Sequence, residues 1–334
     1  MTSRGMRNRI PPLAGILLLF AAVAVFSIAC GGATPTETPT PTPTATSVPV
    51  PTSTPTPQPT PTPSLFPLTI TDSNGNRVTL AEPPERIVAI DSAAVEILFA
   101  VGEGDRIVGT HDFVSYPPEA AGIEKIGSAF ALDFERIAAL EPDLIYVFFG
   151  APVADLEKLG ATVLYIESPR TLEGVAQQMR RWGEIVDRPS AGEEMAQQLE
   201  QSIEKAREAV ASVTAGPRVF FLGDPTLWTA GSGTLIQEIF TALKAENIFE
   251  DVEDFMQVSP EEIVARDPQV VIGVYSVGPE PMEVLTANPA FQQLPALKDG
   301  KVFRGDADLL GTAGPRLVQG IEQVARFLYP ELFP

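Results

Sequence analysis

The sequence predicts an α/β protein with two pseudo-symmetric α/β lobes, mostly parallel sheets, one long helix linking the lobes and a ligand cleft between them. Three observations predict it. From Phe66 onward, short β-type runs (Ile87–Ile90, Leu144–Phe149, Val219–Leu222 and Val270–Val274) alternate with helical patterns, the order that builds parallel layers. The segment Asp133–Ile145 (DFERIAALEPDLI) aligns without a gap on Ser259–Val271 (SPEEIVARDPQVV), an internal repeat of helix, acidic-Pro turn and buried strand. Between the copies, Ser190–Val213 contains no strand-like run, is rich in Ala, Glu and Gln, and starts at Pro189, which reads as one long helix. Two copies are too few for a solenoid. Open α/β sheets take ligands beyond the carboxyl ends of their strands, so two such lobes facing each other enclose a cleft.

At the N-terminus, Arg4, Arg7 and Arg9 precede an apolar run from Ile10 to Ala29 that stops at Cys30. This is the pattern of a secretory leader; an uncleaved anchor is the alternative, since the run is nearly long enough to span a bilayer. The segment Ser27–Gly32 (SIACGG) resembles a bacterial lipobox, with Ser27 where a bulky aliphatic residue is usual. The resemblance makes 1–29 a lipoprotein signal and Cys30 the lipidated residue. Cys30 is the single cysteine of the 334-residue chain, so no disulfide or Cys-based metal site is available. Residues 30–65 are dominated by Thr and Pro; such a tract favours extended, solvated polyproline II and reaches on the order of 90 Å. Its threonines are possible glycan acceptors.

The first lobe is expected at 66–189, the linking helix at 190–216 and the second lobe at 217–334. In the repeat, Asp133 and Ser259 are N-cap residues, Ser259 with Glu262 makes a capping box, and Pro142 and Pro268 end the helices. A second pair of segments supports the repeat: Arg86–Ile90 followed by Glu96–Val101 resembles Arg218–Leu222 followed by Glu238–Leu243.

Composition and motifs exclude several functions. The net charge is −20, and −23 once the three leader arginines are gone, which makes nucleic acid an unsuitable partner. Gly231–Leu235 (GSGTL) lacks the lysine of a nucleotide-phosphate loop. One histidine, His111, and no Gly-x-Ser-x-Gly elbow leave no nucleophile–base constellation and no His/Cys metal cluster. A chance pair among the 43 acidic residues is the remaining route to catalysis, and the chain is expected not to be an enzyme.

Several motifs occur in order: Pro84–Leu98 (PERIVAIDSAAVEIL), Gly104–Gly109 (GDRIVG), Tyr116–Glu119 (YPPE), the helix at Glu135 with Pro142–Ile145, Trp228–Ile236 (WTAGSGTLI) and Asn288–Val302 (NPAFQQLPALKDGKV). Together they resemble the periplasmic binding proteins that deliver vitamin B12, ferric siderophores and haem to ABC importers, over nearly all of 66–334. The resemblance implies lobes that close stiffly about a linking helix, an extracytoplasmic lipid-anchored location, a monomer, and an ABC permease dimer with its ATPase as partner. It also implies that Glu135 and Glu261, one per lobe, dock into permease arginines; solvated first-turn glutamates are the alternative.

Loop residues expected to face the cleft are Asp91, Ser92, His111, Asp112, Phe113, Ala129 and Phe130 in the first lobe and Trp228, Phe255 and Tyr275 in the second. Aromatic walls suit the flat face of a macrocycle or catecholate, although each of these phenylalanines also fits an ordinary core. No intrinsic cofactor is expected. The ligand is expected to be a metal chelate: a corrinoid, an iron siderophore or haem. The acids Asp91, Asp112, Asp224, Asp306 and Asp308 near loops disfavour a strongly anionic siderophore, and Tyr116–Glu119 after Phe113 resembles the B12-binding branch. His111 is a candidate axial ligand to the chelated metal, with a hydrogen-bonding loop histidine as the alternative. A surface lipoprotein that senses, scaffolds or binds another solute without transport remains the competing function.

Overall fold

The computed structural model describes residues 65–334; the expected leader, Cys30 and the Thr/Pro segment up to 64 lie outside the described residues. The first half opens with an antiparallel ribbon, β1 (Leu68–Thr71) and β2 (Arg77–Leu80), whose turn is held by Asp72 Oδ1 accepting from the backbone N–H groups of Asn74 and Asn76. Then follow β3 (Ile87–Ile90), α1 (Ser92–Ala100), β4 (Ile107–Thr110), β5 (Glu124–Lys125), the ribbon β6 (Gly127–Ser128) with β7 (Ala131–Leu132), α2 (Phe134–Ala139), β8 (Leu144–Val147), α3 (Val153–Leu156) and β9 (Thr162–Tyr165). The main sheet has the order β5-β4-β3-β8-β9 and is parallel throughout.

Helices α4 (Leu172–Ile185) and α5 (Pro189–Ala209) lead to the second half: β10 (Arg218–Leu222), β11 (Trp228–Ala230), α6 (Leu235–Ala242), β12 (Glu246–Asn247), β13 (Phe255–Gln257), α7 (Pro260–Arg266), β14 (Val270–Gly273), α8 (Pro281–Ala287), α9 (Pro295–Lys298), β15 (Val302–Arg304), α10 (Ala307–Leu310) and α11 (Leu317–Leu328). Its sheet, β12-β10-β14-β15, is again parallel. Two expected elements end earlier than the sequence suggested. The long helix stops at Ala209 rather than Val213, because Lys244 Nζ takes the carbonyls of Ala211 and Val213 at 2.6 and 3.1 Å and draws them out of a helical path. Strand β8 stops at Val147, where its ladder with β9 ends at Tyr165, and releases Phe148 and Phe149.

The repeat is visible in detail. Asp133 caps α2 by accepting from Arg136 N at 3.0 Å, and Ser259 caps α7 from Glu262 N at 3.2 Å, with Glu262 Oε2 accepting in return from Ser259 N at 2.8 Å. Past each helix, Glu141 and Asp267 take up left-handed φ angles of 45° and 48° just before Pro142 and Pro268. There the repeat-related arginines clamp the exposed helix ends: Arg86 Nε donates to Leu140 O and Glu141 O at 3.1 and 3.0 Å, and Arg218 Nη2 to Asp267 O at 2.7 Å. Orphan carbonyls at a helix C-terminus need such donors.

Side-chain alternation along the strands divides the core. Ile87, Ala89, Leu144 and Tyr146 of the first sheet, and Val219, Phe221, Val270 and Ile272 of the second, enter one apolar cluster together with α1, α4, α5, α6 and α11. The opposite faces enter separate clusters, Val88, Ile90, Ile145 and Val147 in one and Phe220, Leu222 and Val271 in the other. Both halves therefore share a central layer of helices with buried strands on either side, the pattern of doubly covered parallel sheets.

Candidate ligand-binding site

Loops at the carboxyl ends of both sheets line a cavity of about 590 Å³, within the size range of small-molecule sites. Asp91, directly after β3, caps α1 by accepting from Ala93 N at 3.0 Å, and its other oxygen accepts from Gln178 Nε2 at 3.3 Å. Burial outweighs these hydrogen bonds and pushes its carboxyl up to about 6, because a charge withdrawn from water is disfavoured. Ser92 and His111 lie beside it, with Ser92 Oγ 3.1 Å from His111 Nε2.

His111 is buried, and burial, followed by the positive charge of Lys125, lowers its pKa. Its Nδ1 accepts from the backbone N–H of Phe113 at 3.3 Å, which puts the ring proton on Nε2 and makes Ser92 Oγ the acceptor. Both ring nitrogens are engaged within the chain, the arrangement of a hydrogen-bonding loop histidine, and service as an axial ligand to a chelated metal would require one of these contacts to be given up. Among the described residues no group of three His, Cys, Asp or Glu is disposed to hold a metal ion.

The aromatic wall comes from short turns. Ala129 and Phe130 form the tip of the β6–β7 ribbon, and Phe130 is 81% exposed, leaning on Phe149 at 5.2 Å and Phe148 at 6.4 Å between ring centroids. Phe113 is 74% exposed and Phe255, on β13, 52% exposed. Rings this exposed, gathered at one hollow, are not ordinary core packing.

Seven of the ten expected residues line this cavity: Asp91, Ser92, His111, Phe113, Ala129, Phe130 and Phe255. Three do not. Asp112 alternates outward from His111, held by its own N–H to Gly127 O. Trp228 stands at the far end of β11 opposite Gln257, while Ala230 is the residue opposite Phe255. Tyr275 is buried beneath the loop, its hydroxyl donating to Pro279 O at 2.8 Å and its ring under Arg304; with Asp306 and Asp308 it borders a separate hollow of about 380 Å³.

Residues that the sequence reading missed include Phe148, the loop Glu167–Arg170, Asp254 and Leu310–Ala313. Phe148 and Glu167–Arg170 follow β8 and β9, so the strand-end rule, applied to every strand, would have found them. Among the described residues Arg170 is the one lysine or arginine on the cavity wall. Its Nη1 lies 3.2 Å from Asp254 and its Nε 3.8 Å from Glu167.

Away from the cavity, Glu135 and Glu261 stand exposed in the first turns of α2 and α7. Neither makes a side-chain hydrogen bond or ion pair among the described residues, whereas their neighbours do: Arg136 with Asp133 and Glu124, and Arg266 with Asp251. None of the described helices is long and apolar enough to cross a membrane.

The family model described as periplasmic binding protein matches residues 87–309. An uncharacterized ABC transporter substrate-binding lipoprotein, YvrC of Bacillus subtilis, is 26% identical over 279 residues, 80% of this chain and 88% of that protein. The vitamin B12-binding protein of Vibrio cholerae is 30% identical over 256 residues, 74% of this chain and 90% of that protein. The apo structure of the periplasmic heme-binding protein RhuT from Roseiflexus sp. RS-1 superposes with a TM-score of 0.66 at 29% identity, covering 74% of this chain and 99% of that one.

Proposed function

We propose that this chain, which belongs to the periplasmic binding protein family, captures a metal chelate between its lobes and delivers it to the permease and ATPase of an ABC importer. The family is one of binding proteins rather than enzymes. The observation that carries the reading is the cavity where the carboxyl ends of two parallel sheets face one another, walled by Phe113, Phe130, Phe148 and Phe255. Flat apolar rings bury the face of a macrocycle without immobilising long side chains, and relatives of this chain are named for vitamin B12 and for haem.

Within this reading the lobes are 66–189 and 217–334 about a linking segment at 190–216, and the protein works as a monomer. Cys30 carries the lipid and residues 30–65 tether the folded part to the outer face of the cell membrane, as the lipoprotein name of the Bacillus relative supports. Glu135 and Glu261 dock to permease arginines; their exposure and freedom from internal partners support that role. Asp91, Ser92 and His111 form the polar floor under the ligand.

Calorimetric titration with cobalamin, cobinamide, haemin and ferric hydroxamates tests the proposal. Saturable one-to-one binding of one class is expected. Absence of binding across the panel defeats the chelate reading and leaves sensing or a different solute.

A further inference from the structure

The cavity wall carries Asp91, Glu167 and Asp254 against a single basic side chain, Arg170. Arg170 belongs to the loop after β9, yet its partners include the second half of the chain: Asp254 Oδ2, which Nη2 reaches at 3.3 Å, and Gly233 O, which Nη1 reaches at 3.4 Å. Charge-assisted hydrogen bonds normally close to about 2.7–2.9 Å. Other arginines here meet that standard: Arg180 holds Glu193 at 2.6 Å and Glu200 at 2.8 Å, and Arg266 holds Asp251 at 2.6 Å. Arg170 is thus tied loosely, with donors unspent. Its side chain is 52% exposed and those of Glu167 and Asp254 are 58% and 48% exposed, so the pair contributes little and exchanges readily.

An aromatic hollow recognises the face of a chelate but not its edge. Among the described residues, the one place on the wall where an edge oxyanion finds a donor fork is Arg170; the carboxylates of Asp91, Glu167 and Asp254 repel it. Exchange of Asp254 for a ligand oxyanion returns the Asp254 carboxylate to water, where it is already half-exposed.

We propose that Arg170 determines specificity by releasing Asp254 and pairing with a single oxyanion on the edge of the bound chelate. This rests on the chelate-binding function proposed above. The chemistry is shared by two sources, the phosphodiester of a complete corrinoid and a propionate of haem, and matched analogues separate them. Cobinamide lacks the phosphodiester, and haemin dimethyl ester lacks free carboxylates.

The test titrates the full chain, its Arg170→Ala and Arg170→Lys forms, and Asp254→Asn with both pairs of probes. For the pair that binds, Arg170→Ala is expected to weaken the oxyanion-bearing member at least about tenfold and its analogue less than twofold. Arg170→Lys recovers part of the loss, and Asp254→Asn, which frees the guanidinium, tightens the oxyanion-bearing member. Equal losses for both members reduce Arg170 to a lobe-to-lobe contact and overturn the proposal, as does no loss for either. Wild-type chain that binds none of the four probes overturns the role of Arg170, and failure to bind ferric hydroxamates as well refutes the chelate function itself.

Discussion

At the scale of single residues, the chemistry of the cavity floor centres on Asp91. Its carboxyl is raised to about 6, mainly by burial, so the ionised form is disfavoured in the folded state. Below about pH 4 the group is protonated in both folded and unfolded chains and has no effect. As pH rises toward 6 the unfolded chain loses the proton first, and stability falls. The full shift corresponds to about 3 kcal/mol; contact with the open cavity screens it, and about 1–2 kcal/mol is expected. Asp91→Asn keeps an oxygen for the cap on Ala93 N, and a turn of the Gln178 amide, whose Nε2 now faces Asp91, brings Oε1, buried without a partner, to accept from the new amide. Urea unfolding of wild type and Asp91→Asn at pH 4.5 and pH 8 checks this: the variant is the more stable at pH 8 and the gap closes at pH 4.5. A gap independent of pH rules out the ionisation. Asp91 and His111 were legible because each follows a strand of the sheet. Tyr275 and Trp228 also follow or begin strands, but the direction of Tyr275 is set by its hydroxyl bond to Pro279 O in the turn that follows, and that of Trp228 by the β11–β13 register, which a segment 29 residues away decides. Arg170 sits in a polar loop with no motif, and only the approach of Asp254 from the other half gives it meaning.

At the scale of elements, the repeat at α2 and α7 was legible in its caps and prolines, and the alignment of Arg86 with Arg218 was visible too, but the clamp they form was not. Nothing local says that an arginine at a strand start reaches the carbonyls of a helix end more than 45 residues away. Arg218→Ala removes the donors to Asp267 O and an ion pair of 2.6 Å with its carboxylate. A loss of about 1–2 kcal/mol in urea unfolding is expected. Arg207→Ala, which breaks only an exposed contact of 3.7 Å to Glu204, is expected to change stability by less than about 0.5 kcal/mol. Equal effects of the two substitutions contradict the clamp. The same helices present Glu135 and Glu261, and clamping their ends fixes the direction in which these carboxylates project. With the cognate importer in liposomes, Glu135→Ala and Glu261→Ala are expected to lower binding-protein-stimulated ATP hydrolysis by about tenfold or more while chelate affinity in calorimetry is unchanged. Loss of chelate affinity instead moves these residues from docking to the fold.

At the scale of the whole molecule, the two lobes, the parallel sheets and the long helix α5 between the sheets were legible from alternation, repetition and composition, whereas the packing that seats that helix was not. Helix α4 crosses α5 at Gly183 and Gly192, where a Cβ on Gly192 would stand 2.7 Å from Met179 O and 2.9 Å from Gly183 Cα. Glycine here permits backbone-to-backbone approach, a requirement that periodicity does not display. On top of this crossing lies the apolar cluster common to both sheets, closed at one side by Arg316, which reaches from the start of α11 to the buried Glu96 on α1 and stacks 3.7 Å over the Tyr116 ring. Opening the cleft widely would tear apart this shared layer, so scattering profiles with and without ligand are expected to superpose. The crossing is the point at which the stiffness can be broken. Gly192→Val forces atoms into backbone that has nowhere to move, and overpacking of this kind costs about 1–3 kcal/mol or more. Because the strain falls between the helices that carry both lobes, the variant is expected to show faster amide exchange in α4 and α5 and a ligand-dependent change in scattering that wild type lacks. If exchange quickens only within a turn of residue 192 and scattering stays ligand-independent, the shared core alone holds the lobes and the crossing is merely tight packing.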